Sequence, residues 1–387
     1  MRLPPLSYNV RSLFVRWSST LLTVVGIGAT VAVLAGVLAL QQGFARLYTD
    51  NGRPDVALFL RPGATSEGES AIQRQQAQIL IKETAEIERD AEGRPIAAGE
   101  IYLAVRQRKV DGGETNVAIR GVQQPSFTIA QAKIVEGRSF TPGNDEVVVG
   151  EALVGRIKGC KLGAQIQLNT SPFTVVGIFS CPGPSSSEIW GDVDRMGPIL
   201  ERPNFSRVVA KLTDAKHVEA IAERLEGDKR VPAKVIDEQS YLTGQTAALS
   251  WTLWVLGTFL AIVMGAAAVF SGMNTMLAAL ASRTHEIGVL LALGFKPYSI
   301  FLGFVFESLV LGLMGGVVGV LMTLPLHGVR TGTTNFQTFT EVAFAFRVTP
   351  TVLITAVGFS LILGLVGGAL PALRAARLEP CEALRRG

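Results

Sequence analysis

The chain has 387 residues, 48% of them hydrophobic and only 18% charged, with a mean hydropathy of +0.35. A soluble chain of this length carries about a quarter charged residues, so the composition excludes an ordinary soluble protein and fits a hydrophilic middle diluted by membrane spans. The net charge of +4, without any long basic run, gives no footing for nucleic-acid binding.

Residues 1–19 carry Arg2, Arg11 and Arg16 and no acid, and read as a cytoplasmic N-terminal segment. Thr20–Leu40 then runs for 21 residues without a charge, about what a bilayer-spanning helix needs; the first span is placed at 20–45. A cleaved signal peptide is the rival reading. Its apolar core would be about 7–15 residues long with an A-x-A-like site after it, and Ala39-Leu40-Gln41 is a poor site. Gly28, Ala32 and Gly36 recur every four residues, a face suited to close helix packing in lipid.

Residues 46–245 contain no stretch long and apolar enough to span, and form one α+β domain inserted between the first and second spans. It opens with a strand at Asp55–Leu60, followed by a polar, Gln/Glu-rich helix over Ser66–Arg89. Strand patterns follow at Glu100–Lys109, Asn116–Gly121, Glu146–Val149, Gln165–Leu168 and Phe173–Phe179. Asn169-Thr170-Ser171-Pro172 has turn composition and makes a hairpin of the last two. Arg207–Leu212, His217–Glu226 and Ala233–Ile236 read as strand, helix, strand. The stretch Cys181–Met196 reads as a surface loop, or as a contact for a partner or substrate through Trp190.

Three further spans follow, at 246–280, 299–324 and 349–371. The second is longer than a bilayer needs, so one end should project into water; Gly257, Ala261 and Gly265 repeat the small-residue spacing. The third carries Gly312/Gly316 and Gly315/Gly319, and the fourth Gly364/Gly368. Small faces on all the spans point to a tight bundle or dimer. Between the second and third spans, residues 281–298 carry Arg283, Thr284, His285 and Glu286, then a short helix with Ile287, Leu290 and Leu291 on one greasy face. Gly294 and Pro297 stop it. The fold class is therefore a polytopic α-helical membrane protein with four transmembrane helices and a large inserted α+β domain. Basic residues orient it. Arg2, Arg11, Arg16, Arg283, Lys296, Arg374, Arg377, Arg385 and Arg386 fall on one side, while the short loop 325–348 holds only Arg330 and Arg347. Both termini, including the segment 372–387, are expected in the cytoplasm, with the inserted domain outside.

Met-Asn-Thr-Met-Leu-Ala at 273–278, followed by R-T-H-E-I-G-V-L-L-A-L-G at 283–294, resembles the permease signature of bacterial four-helix ABC proteins: macrolide exporters, lipoprotein-releasing transporters and the division protein FtsX. His285 stands where that family often has Arg or Lys. PALRAARLEPCEALRRG, with Pro371 ending the fourth span and Pro380 restarting a short helix, resembles the ending of the same permeases. EVVVGEALVGR, LGAQIQL and FTVVGIF resemble the extracytoplasmic domain of the macrolide-exporter type. The resemblance is to that type without a fused ATPase domain. It implies that Arg283, Thr284, His285, Glu286, Ile287, Leu290 and Leu291 form a coupling helix against a separate ATPase, with ATP and Mg bound on the partner and no cofactor on this chain. It also implies a bacterial inner-membrane protein, two ATPase copies, a homodimer or pairing with a similar permease, and a periplasmic adaptor and outer-membrane duct as further partners. The substrate would be amphiphilic, lipid-like or drug-like. The alternatives are a mechanotransmission complex of the FtsX type controlling a cell-wall hydrolase, lipoprotein extraction, or a membrane-anchored receptor.

Much of the remaining chemistry is absence. No G-x-x-x-x-G-K-[ST] loop occurs to cradle nucleotide phosphates. His217, His285 and His327 show no ligand spacing, and no G-x-S-x-G elbow or paired-carboxylate setting stands out, so no catalytic residue is assigned. Glu307, about 12 Å into the third span, is a functional candidate by its position in a membrane helix, or a structural hydrogen-bond partner for another helix. Cys160 and Cys181 are expected outside, where disulfides persist, and Cys381 inside as a thiol. With a four-residue turn at 169–172, Ile166 faces Val175 and the same register sets Cys160 opposite Cys181, within disulfide range. Against the bond, Gly163 can break the strand before Cys160, leaving two buried thiols.

Overall fold

The computed structural model describes residues 17–48, 51–335 and 339–379. Arg2, Arg11, Arg16, Pro380, Cys381, Arg385 and Arg386, named above for orientation, the C-terminal signature or thiol state, lie outside the described residues. In chain order come α1 (Trp17–Tyr48), β1 (Val56–Leu60), α2 (Arg74–Glu83), β2 (Ala97–Arg108), β3 (Glu114–Val122), α3 (Gln124–Ile129) and β4 (Lys133–Gly137). Then follow β5 (Glu146–Gly150), β6 (Gln165–Leu168), β7 (Ser171–Ser180), β8 (Glu188–Asp192), α4 (Val193–Ile199), β9 (Arg207–Lys211), α5 (His217–Glu226) and β10 (Lys234–Asp237). The chain ends with α6 (Glu238–Ser282), α7 (Thr284–Ala292), α8 (Pro297–Thr323), β11 (Arg330–Thr334), β12 (Glu341–Ala345) and α9 (Pro350–Ala376). These fall into two units: the described parts of Met1–Gly43, Ser250–Val329 and Ala345–Gly387, and those of Phe44–Leu249 and Arg330–Phe344.

The first unit is a helical bundle whose four long helices, Trp17–Tyr48, Ser250–Ser282, Pro297–Leu326 and Pro350–Ala376, are each long and apolar enough to cross a bilayer. Proline at the first helical turn starts α8 and α9, and the Thr349 hydroxyl accepts the Val352 N–H at 3.4 Å to cap α9. The glycines of α8 serve two seams. A Cβ on Gly312 would stand 2.6 Å from the Ser360 carbonyl of α9, whereas one on Gly319 would stand 2.7 Å from the Gly28 carbonyl of α1. Only glycine admits such approaches between backbones. Gly28 is tight against Val318, while Gly36 has room. Thr23 and Thr275 share a hydrogen bond of 2.7 Å that joins α1 to α6. Phe259, Ile262, Phe270, Ile354 and Ile362 point outward, as side chains that meet lipid do, and Trp251 stacks on Trp254 at 5.3 Å.

The second unit is built on a ten-stranded sheet of order β10-β1-β9-β2-β3-β8-β5-β7-β4, with β6 paired to β7. Period-two alternation divides its apolar residues between faces. Phe59 and Val235 pack against Leu80 of α2 and Ile221 of α5, and Val147, Val149, Phe173 and Ile189 form a second cluster. Val148, Phe179 and Trp190 point the other way.

Several expectations are corrected here. The helix expected over Ser66–Arg89 is confined to Arg74–Glu83: residues 66–70 turn back on themselves so that Glu67 is buried, and the Thr84 hydroxyl closes the helix on the Leu80 carbonyl at 2.7 Å. The stretch Cys181–Met196 is not a surface loop; it holds β8 and the start of α4, and Trp190 is 1% exposed inside the sheet. The β6–β7 turn is two residues long, because Asn169 takes a left-handed φ of +51°, so Ile166 pairs with Phe173 rather than Val175. That shift removes Cys181 from the position opposite Cys160, and Cys160 itself precedes β6, cut off from the strand by the turn 161–164 with Gly163 at a φ of +77°. The two are free thiols on opposite faces of the sheet, Cys160 beside Ile166 and Phe173 and Cys181 beside the Trp190 cluster. Within 325–348, residues 330–344 belong to the sheet-containing unit and carry the β11–β12 pair.

Candidate functional site: the coupling turn and a buried polar centre

The chain leaves α6 at Ser282 and re-enters a helix at Thr284, so Arg283 is the hinge between α6 and α7. The short helix ends where Phe295 N–H bonds the Leu290 carbonyl at 3.1 Å and Gly294 takes a φ of +92°, a conformation glycine reaches without strain. Ile287 is 4% exposed and packs with Leu280, Ile300, Phe304 and Ala375, with Leu290 and Leu291 half-buried. The greasy face expected to meet a partner is therefore turned into the protein's own bundle. Its opposite face carries His285, Glu286, Val289 and Leu293, the last 72% exposed. Thr284 bonds back to the carbonyls of Leu280 and Ala281, both at 3.1 Å, and so seats the helix start.

Arg283 is also buried. Its Nη1 donates to Glu307 Oε2 at 3.3 Å, its Nε to Glu286 Oε2 at 3.4 Å, and its guanidinium lies 5.9 Å from the Phe304 ring centre. Glu307, 4% exposed on α8, is thus hydrogen-bonded to the junction between α6 and α7.

The second unit holds a charged centre that sequence reasoning missed. Arg120 on β3 is 2% exposed and donates to Glu188 at 2.7 and 2.8 Å, to Glu67 at 2.7 and 3.0 Å and to Glu100 at 3.1 Å. Arg207 donates to Glu100 at 2.8 Å, and the Trp190 indole to Glu188 at 2.7 Å. Such paired, forked bonds are what permit charge to stay buried. Burial works to raise the Glu67 carboxyl, but the charges of Arg120 and Arg207 outweigh it and leave its pKa below the ordinary value. Glu238, at the first turn of α6, goes the other way: burial raises it above the ordinary value in spite of Arg207 and the Arg53 N–H bonded at 3.2 Å. The signal was there in single charges inside apolar strands, Arg120 in VAIRGV, Glu188 in SEIWG and Glu100 in AAGEIYL.

Glu67, Arg120, Glu188, Arg207 and Glu238 border a cavity of about 290 Å³ that also meets Tyr48, Gln245 and Asn335. The Asn335 amide donates to Gln245 at 3.0 Å and to the Tyr48 hydroxyl at 3.5 Å. Tyr102 and Thr340 share a bond of 3.1 Å. A Cβ on Gly52 would stand 2.6 Å from Gln239 Cα. The end of α1, the start of α6 and segment 330–344 are thereby tied together inside this unit. Among the described residues no cluster of His, Cys, Asp and Glu is placed to hold a metal ion.

Two family models match the chain: the MacB-like periplasmic core domain over residues 20–228, more than half its length, and the FtsX-like permease C-terminal over residues 258–380. The chain is 27% identical over 415 aligned residues to the macrolide export ATP-binding/permease protein MacB of Hyphomonas neptunium, covering 97% of this chain and 59% of that one. It is 26% identical to the uncharacterized ABC transporter permease YknZ of Bacillus subtilis, covering 70% of each. The periplasmic region of MacB from Actinobacillus actinomycetemcomitans aligns with a TM-score of 0.37 at 13% identity, over 49% of this chain and 92% of that structure. The chain spans about half the length of the MacB relatives it matches.

Proposed function

The chain belongs to the MacB-like and FtsX-like family of ABC permeases, and on that premise we propose that it is the membrane subunit through which a separate ATPase drives an extracytoplasmic domain. The observation that carries the reading is the short helix α7 between two spans, anchored by Ile287 on one face and presenting His285, Glu286, Val289 and Leu293 on the other. A helix with an anchored face and a free face can receive a push and pass it on. The ATP and Mg would sit on the partner, since no phosphate-binding loop occurs in these 387 residues. Two copies of the chain would dock two ATPase subunits at a bacterial cytoplasmic membrane, with the sheet-containing unit outside and both termini inside. That unit would handle an amphiphilic, lipid-like or drug-like substrate, as the names of the macrolide-export relatives suggest, with an adaptor and an outer-membrane duct as further partners.

The test is retention and stimulation of the ATP-binding chain recovered with the wild-type protein from its native membranes. Val289→Asp and Leu293→Asp place charge on the free face without touching the bundle. Both variants should insert normally, lose the ATP-binding chain and lose stimulated hydrolysis. Unchanged retention and hydrolysis in both would overturn the assignment of that face.

A further inference from the structure

Arg283 stands between two carboxylates of unlike surroundings. Glu307 is buried on α8, 5% exposed at its side chain, whereas Glu286 on α7 is 57% exposed. The guanidinium reaches both, at 3.3 and 3.4 Å, and its carbon lies 5.9 Å from the ring centre of Phe304, one turn before Glu307 on α8. The Arg283 backbone is committed as well, its N–H to the Leu280 carbonyl of α6 at 3.1 Å and its carbonyl to the Ile287 N–H of α7 at 3.0 Å. One residue therefore touches α6, α7 and α8 at once.

We propose that Arg283 and Glu307 are positioning residues that link α7 to α8, so that force arriving on the free face of α7 displaces the third span instead of rotating the short helix alone. This rests on the reading of that face as the ATPase contact. The physical case is one of unequal stiffness. Ile287 packs by non-directional contacts, which allow a short helix to roll. A buried ion pair is directional and gains strength in low dielectric, and neither charge can leave the other cheaply. Glu307 lies within the third span, where an acid is retained only at a cost. Glu286 supplies the input: a cationic group docking at that exposed carboxylate competes with Arg283 and shifts the guanidinium toward Glu307. The device thereby tightens when the partner is present.

The experiment uses the full chain in lipid discs with the ATP-binding chain recovered from its native membranes, and reads three quantities: retention of that chain, melting temperature and stimulated ATP hydrolysis. Glu307→Gln keeps shape and a hydrogen-bonding oxygen but removes the charge. Retention and melting should stay near wild type while stimulation falls by a factor in the roughly 5- to 150-fold range of couplings between sites. The exchange R283E with E307R should restore part of it. Should Glu307→Gln fail to insert, Arg283→Lys serves, since an ammonium keeps the charge without the planar fork that spans two carboxylates; it too should lower stimulation with retention preserved. Wild-type stimulation in the inserted variant overturns the proposal. So does a parallel fall of all three readouts, which is the mark of a plain anchor. A wild-type chain that neither retains nor stimulates an ATP-binding chain overturns the permease reading itself, and this proposal with it.

Discussion

Replacing Arg120 with Met keeps a long side chain between β3 and β8 but removes the cation at the middle of the charged centre. Arg120 makes five hydrogen bonds to Glu67, Glu100 and Glu188. Among the described residues these buried carboxylates then share Arg207, which reaches Glu100 at 2.7 Å and Glu67 at 3.4 Å and leaves Glu188 with the Trp190 indole and the more distant Ser185 hydroxyl. Removing one partner of a buried ion pair costs about 3–5 kcal/mol, because the charge left behind is uncompensated. For a unit of this size each kcal/mol moves the melting temperature by about 2–4 °C, so Arg120→Met should melt roughly 6–20 °C below wild type. The readout is pulse proteolysis of the full chain in detergent, followed at peptides from β3 and β8. Arg94→Ala is the control: its bonds to Asp90 and Glu92 are on the surface, with Arg94 73% exposed, where water screens the pair and it contributes little. If Arg120→Met melts with Arg94→Ala, the charged centre does not hold the sheet and the reasoning fails.

Glu238 responds to pH in the opposite sense to Glu67. Burial raises its folded-state pKa, so the protonated form stabilises the fold, fully below the unfolded pKa, and this is lost as pH rises through the folded value. Glu238→Gln, whose amide oxygen can still accept the Arg53 N–H, should therefore raise the melting temperature at neutral pH, with the gain vanishing in acid. A gain that grows in acid would reverse the assignment. For Glu67, lowered by Arg120 and Arg207 against burial, stability is present above the unfolded pKa and is lost as pH falls through the folded value. The cysteines give a direct check on register. The denatured, unreduced chain should take three alkyl groups, one for each cysteine in the sequence. In the native chain Cys160 and Cys181 should react slowly, since burial pushes Cys160 up to about 12 and Cys181 higher still, with nearby Glu188 adding to the latter. A single alkyl group on the denatured chain would mean a bond the register does not provide.

The spans were legible because a bilayer imposes a length and a composition that nothing in the sheet-containing unit imitates. Strands with clear alternation, such as Gln165–Leu168, were legible to the residue. What escaped was structure made by partners distant in the chain. β8 reads EIWGD, short, with a charge at either end and a glycine within, and it becomes a strand because β3 and β5 flank it in register. The helix over Ser66–Arg89 failed for a related reason: Glu67 is worth more to Arg120 in the sheet than to a surface helix, and no local propensity reports that. The hairpin register failed by a smaller margin. Turn composition names the residues that bend, but only the left-handed φ of Asn169 shortens the turn to two residues, and with it moves every pairing beyond.

The coupling turn divides the same way. Helical periodicity correctly gathers Ile287, Leu290 and Leu291 onto one face, yet periodicity has no sign. An apolar stripe marks a surface removed from water, and both a partner protein and the chain's own bundle remove it. For a helix in the middle of a soluble protein the bundle is the default; beside a membrane a sequence permits either. Burial of Ile287 at 4% against 72% for Leu293 decides it, and the decision changes which substitutions are informative. Ile287→Asp would injure the fold and the coupling together, so its failure would say nothing about the partner. Leu293→Asp touches only the free face, so a loss of the ATP-binding chain there is a statement about docking.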